Sequence, residues 1–128
     1  MFILDFRDSY PLVRIKVMKK GLHTWAWMTI DTGSPYTIVP TSIIGELGLG
    51  EEDVITTVTI HGIVHKEGCA EDAPAYLLDL EIEGRTLKDV LILAYNFGPE
   101  FGLVGHNILK GFRLGVNWKE KHIQLEMV

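Results

Sequence analysis

Apolar and polar residues alternate with a period of two along much of this 128-residue chain, which is the pattern of β-strands that bury one face. Val13, Ile15 and Val17 are separated by Arg14 and Lys16. Tyr76, Leu78, Leu80 and Ile82 alternate with Asp79, Glu81 and Glu83, and Ile123, Leu125 and Met127 with Gln124 and Glu126. Residues 22–30, 54–60 and 87–93, rich in Trp, Val, Thr, Ile and Leu, read as further strands, and Phe112, Leu114 and Val116 make a short one. Turn chemistry separates them at Lys19-Lys20-Gly21, at Glu83-Gly84-Arg85 and over residues 117–120. Two segments, 41–47 after Pro40 and 107–110, have the length of one- or two-turn helices. The expected fold class is therefore all-β, in a single domain covering residues 1–128.

Composition narrows the function classes. With 47% hydrophobic and 23% charged residues the chain can bury a real core. A formal charge of −5, and no basic cluster denser than Lys19-Lys20 or the Lys119 to Lys121 run, give no footprint for nucleic acid. No apolar run is long enough to span a bilayer, and the stretch from Met1 to Tyr10 carries Asp5, Arg7 and Asp8 where a signal peptide would be apolar. The single cysteine, Cys69, can form no internal disulfide, so a reducing cytoplasm is the expected location.

Chemistry concentrates at Asp31-Thr32-Gly33-Ser34. A strand of large apolar residues, Trp25 through Ile30, runs into this carboxylate, and a second apolar stretch, Tyr36 to Val39, follows it. A carboxylate at the end of a buried strand is costly unless it is hydrogen-bonded or serves a function. Taken alone, the four residues are equally consistent with a capped turn. An apolar pair running into glycine occurs again at Leu103-Val104-Gly105.

Asp31-Thr32-Gly33-Ser34 with Thr37-Ile38-Val39-Pro40 behind it resembles the active-site loop of the retropepsin-like aspartic peptidases, in a cellular, prokaryotic-type form. The segment from Gly102 to Leu109 resembles the family's apolar-apolar-Gly stretch and the short helix after it. The resemblance covers roughly residues 11 to 127 and implies a closed β-barrel with a flap hairpin and one or two short helices. It also implies an endopeptidase without metal or cofactor, in which two carboxylates share a proton and activate water against a peptide or protein substrate. Because Asp-Thr-Gly occurs once, the second carboxylate would come from a second copy of the chain, in a homodimer held partly by its termini.

Within that resemblance each residue has a task. Asp31 is the catalytic carboxylate. Gly33 lets the backbones of two loops approach and offer N–H groups. Thr32 would reach across the two-fold axis, and Ser34 would bond the outer oxygen of Asp31. Gly105 would back the loop, with Leu103 and Val104 packed beneath it. The flap is expected between Thr59 and Ala73, with His61, Gly62, Ile63 and Val64 among its residues.

Other readings stand beside this one. His61, His65 and Cys69 are four residues apart, a zinc-like spacing on a helix, but Gly62, Gly68, Ile63 and Val64 favour a hairpin and no fourth ligand is evident. His106 is expected in solvent or at an interface. Trp25, Trp27, Phe97 and Phe101 are assigned to the core before a substrate groove. The alternative function is an inactive dimer of the same fold that binds peptides or proteins.

Overall fold

The computed structural model describes all residues except 1, 4, 8, 9, 62–69, 83, 97 and 99; for 2, 3, 5–7, 10, 11, 61 and 70 it describes the backbone alone. The described chain is dominated by strands. β1 (Phe2–Ile3) and β2 (Asp5–Arg7) precede two long antiparallel partners, β3 (Tyr10–Lys19) and β4 (Leu22–Ile30). Lys20 (φ 53°) and Gly21 (φ 77°) join them, consecutive left-handed residues whose turn matches the twist of the flanking strands.

After β4 come β5 (Thr37–Val39), helix α1 (Thr41–Glu46) and a single 3₁₀ turn at Glu51–Asp53. The hairpin strands β6 (Thr56–His61), β7 (Ala70–Ile82) and β8 (Arg85–Ala94) follow. The chain ends with β9 (Gly102–Val104), helix α2 (His106–Leu109), β10 (Phe112–Asn117) and β11 (His122–Met127).

Strand order in the large sheet is β2-β3-β4-β9-β5-β8-β7-β6, and β3 also pairs with β7 through Lys16↔Glu81, Val17↔Leu80 and Met18↔Asp79. That extra pairing closes six strands into a barrel, leaving β2 and β6 outside the ring. Closure consumes the edges that a sheet of this size would otherwise expose. The alternating residues fill the interior: Val13, Ile15 and Val17 from β3, Ala26 and Met28 from β4, and Leu78, Leu80 and Ile82 from β7 are all buried. Trp25 and Trp27 alternate with Ala26 and Met28 and so stand on the outer face, contrary to their expected place in the core. Trp25 is 45% exposed, with the Arg14 guanidinium 4.8 Å from its ring centre. Phe101 is buried, and Phe97 lies outside the described residues.

The terminal strands form a separate sheet in the order β1-β11-β10. β1 covers β11 only at Ile123 and His122, whereas β10 pairs with it from His122 through Met127. Beyond Ile123, the β1 side of β11 therefore has no strand partner among the described residues. Among the same residues no helix is long and apolar enough to cross a membrane.

Candidate active site

The barrel's two shortest strands place the motif. β9 runs parallel to β4, with Met28↔Gly102, Thr29↔Leu103 and Ile30↔Val104, and antiparallel to β5 at Ile38↔Leu103. Chain leaving β4 must therefore turn across the end of β9 before returning as β5, and Asp31 to Tyr36 is that turn. Successive residues of a strand face opposite ways. Val104 accordingly enters the main core, while Leu103 joins a second cluster with Ile38, Ile60, Ala73, Ala75 and Leu93 under the β6–β7 hairpin.

One arm of the turn is bonded to the last residue of β9 and the other to the segment just after it. The Asp31 N–H donates to Val104 O (3.0 Å) and the His106 N–H donates to Ser34 O (2.6 Å). Inside the turn the Ser34 N–H donates to Asp31 O (3.2 Å), and the Gly33 N–H donates to Asp31 Oδ1 (3.0 Å). A carboxylate that accepts a backbone N–H is fixed in orientation, and the bond is stronger for being charge-assisted. Asp31 is half-buried, whereas Thr32 and Gly33 are exposed at the tip of the turn.

Ser34 differs from expectation. Its hydroxyl donates to Tyr36 O (2.7 Å) and accepts from the Tyr36 N–H (3.3 Å), instead of bonding the Asp31 carboxylate. A short side chain can satisfy backbone groups two residues away, and here that local bond takes the hydroxyl.

Gly105 lies against the turn so closely that a Cβ there would stand 2.0 Å from Tyr36 O and 2.9 Å from Ser34 O. The following His106 is exposed. Two residues of the site were not singled out in the sequence for any role. Thr37 is the one buried polar side chain among the described residues. Its Oγ1 accepts the Gly105 N–H (3.0 Å) and donates to Asn107 Oδ1 (2.8 Å), and Asn107 Nδ2 donates to Leu91 O (2.9 Å). A threonine in an apolar strand, Thr37-Ile38-Val39, is the only signal that pointed there, because a hydroxyl on a buried face needs a partner.

At the hairpin, His61 ends β6 and pairs with Ala70 of β7. Gly62, Ile63 and Val64, expected in the flap with His61, lie outside the described residues, as do His65 and Cys69. Among the described residues no group of three or more His, Cys, Asp or Glu side chains could hold a metal ion.

No protein-family model matches the sequence, and no curated protein matches it either. Solved structures do match the fold. A retropepsin-like aspartic protease from Rickettsia conorii superimposes with a TM-score of 0.71 at 17% identity, over 98% of this chain and 89% of that one. The EIAV protease, solved in complex with the inhibitor HBY-793, gives 0.56, also at 17% identity, over 79% of this chain and 86% of the other. With its six-stranded closed barrel, its few short helices and the Asp31 turn slung between β4 and β5, the chain has the retropepsin-like fold.

Proposed function

We propose that residues 1–128 act as one domain of an aspartic endopeptidase, working as a two-fold homodimer in which Asp31 of each copy contributes one carboxylate. The observation that carries this reading is the Asp31 turn itself: a carboxylate oriented by the Gly33 N–H, with Thr32 and Gly33 exposed beside it and its two arms tied to Val104 at the end of β9 and to His106 just after it. A lone carboxylate has no partner with which to divide the work of general base and hydrogen-bond donor. Two that meet across an axis share one proton, so that one activates water while the other polarises the scissile carbonyl.

Further support comes from the surface around the turn. Exposure of Thr32 and Gly33 suits two loops that pack on each other, with the Thr32 hydroxyl reaching the partner loop. Gln124 to Met127 of β11, which has no strand partner on its β1 side among the described residues, offers an edge near the C-terminus that a second copy can extend. The β6–β7 hairpin, whose strands pair from Thr56↔Ala75 to His61↔Ala70, is in this reading the flap that closes over substrate. A peptide or protein is the substrate, water the nucleophile, and the cytoplasm the compartment that suits a chain with one cysteine.

The test is cleavage of a mixed peptide library by the purified protein, beside sedimentation of wild type and Asp31→Asn. Wild type should cleave and sediment as a dimer. Asp31→Asn should not cleave, yet should remain dimeric at neutral pH, since it removes a like-charge contact and keeps the side-chain shape. Cleavage by the variant, or by a monomeric wild type, would overturn the proposal.

A further inference from the structure

Thr37 and Asn107 sit 70 positions apart in sequence and are joined by a hydrogen bond whose direction the neighbours dictate. Leu91 O can only accept, so the Asn107 amide must present Nδ2 to it. Oδ1 then faces Thr37, which obliges the threonine hydroxyl to donate to Asn107 and leaves its lone pairs for the Gly105 N–H. Every polar group in this chain of bonds has its partner, and no buried side-chain nitrogen or oxygen among the described residues is unsatisfied.

The location of the chain of bonds gives it significance. Both backbone bonds that hold the Asp31 turn end on residues 104–106, through Val104 O and the His106 N–H. Between them Gly105 donates its own N–H to the Thr37 hydroxyl, and Asn107 ties the next stretch to β8. We infer that Thr37 and Asn107 are positioning residues: they hold segment 104–106 at a fixed distance from the Asp31 turn and so set where the carboxylate stands. Neither touches Asp31. They act through the backbone, Thr37 on the Gly105 N–H and Asn107 on Leu91 O of β8. In its kinetic consequences this inference rests on the peptidase reading; in its structural consequences it does not.

Three variants test it. Thr37→Val keeps the shape but strands the Gly105 N–H and Asn107 Oδ1. Thr37→Ser keeps the hydroxyl, and Asn107→Leu, at a half-buried position, removes the other partner and carries the test if Thr37→Val does not fold. In peptide cleavage, Thr37→Val and Asn107→Leu should lose about tenfold to a hundredfold in kcat with KM changed less than about threefold, because a displacement near 1 Å misplaces the reacting group without removing the cleft. Thr37→Ser should recover most of that loss.

Amide hydrogen exchange supplies a readout independent of cleavage. The Asp31, Gly105 and His106 amides should exchange faster in Thr37→Val and Asn107→Leu, while those of Leu78 and Leu80 in the barrel core keep wild-type protection. Uniform loss of protection with an unchanged kcat would mean a merely structural pair and would overturn the inference, as would failure of Thr37→Ser to rescue. If wild type cleaves nothing, the peptidase reading falls, and the exchange pattern alone decides the positioning role.

Discussion

Replacing Gly105 with alanine isolates how tightly the Asp31 turn is packed against the segment behind it. Gly105 has φ −100° and ψ −176°, extended backbone that any residue adopts, so alanine meets no dihedral penalty there. The obstacle is steric. The added methyl group would lie 2.0 Å from Tyr36 O, 2.4 Å from Tyr36 C and 2.9 Å from Ser34 O, all backbone atoms with no rotamer to change. Ordinary contact begins at 3.4 Å, so one of the two backbones has to retreat by about 1.4 Å. Overpacking of this kind costs about 1–3 kcal/mol, and the bonds from Asp31 N–H to Val104 O and from His106 N–H to Ser34 O must stretch to allow it. A shift on the order of 1 Å at a reacting group is worth about a hundredfold in rate. Urea unfolding at fixed protein concentration should therefore show a lower midpoint for Gly105→Ala with an unchanged slope, and peptide cleavage a loss larger than the stability change explains. Wild-type midpoint together with wild-type cleavage would refute the argument, since the turn would then not be seated on Gly105.

Two further outcomes follow from contacts away from the turn. Asn96 caps helix α1 from 55 positions away: its Oδ1 accepts the Thr41 N–H (3.0 Å) and its Nδ2 donates to Thr41 Oγ1 (2.8 Å), so Asn96→Ala should lose about 0.5–2 kcal/mol in urea unfolding, and an unchanged midpoint would show the cap to be idle. Asp53 receives Lys20 Nζ at 2.8 Å and the Gly50 N–H at 3.0 Å, and the Lys20 bond first, then the Gly50 bond, holds its carboxyl below the usual value. A carboxyl lowered by folding contributes stability above its unfolded value, and that contribution is lost as pH falls through the folded one. Lys20 is raised by the same bond, so its share is present below the unfolded lysine value and lost as pH rises through the folded one. The gap between wild type and Asp53→Asn in unfolding midpoint should accordingly be widest near neutrality and close toward acid; a gap that persists unchanged into acid would contradict this pairing.

The long strands were legible because each carries its own evidence. In β3 and β7 enough residues alternate for the buried face to declare itself, and the turn residues Lys20 and Gly21 adopt the left-handed geometry that joins their neighbours. β5 and β9 carry no such evidence. Each has three residues, all buried, because they lie in the middle of the sheet with cover on both faces, and a run of three residues has no period to detect. Barrel closure was equally hidden: the β3–β7 pairing depends on Lys16, Val17 and Met18 finding partners more than sixty positions away, which no local pattern encodes.

The candidate site divides in the same way. Asp31, Gly33 and Gly105 stood out because a carboxylate or a glycine among large apolar residues contradicts its surroundings, and such contradictions gather where structure serves chemistry. The wrong partner for Ser34 has a related cause. From sequence, Asp31 and the Tyr36 backbone are both within reach of that hydroxyl, and the path of the chain between β4 and β5 decides in favour of Tyr36. Thr37 contradicts its surroundings as plainly as Asp31 does, being a hydroxyl in a fully buried strand, yet its partners cannot be found by proximity in sequence. Gly105 lies 68 positions away and Asn107 lies 70. What the sequence does state is the need for partners, since leaving such a group unpaired costs about 1–3 kcal/mol. Thr37, a buried hydroxyl beyond Asp31 in the same stretch of chain, is thus a pointer to the segment that backs the reactive loop. In this chain that segment is 104–107, the stretch on which both arms of the Asp31 turn depend.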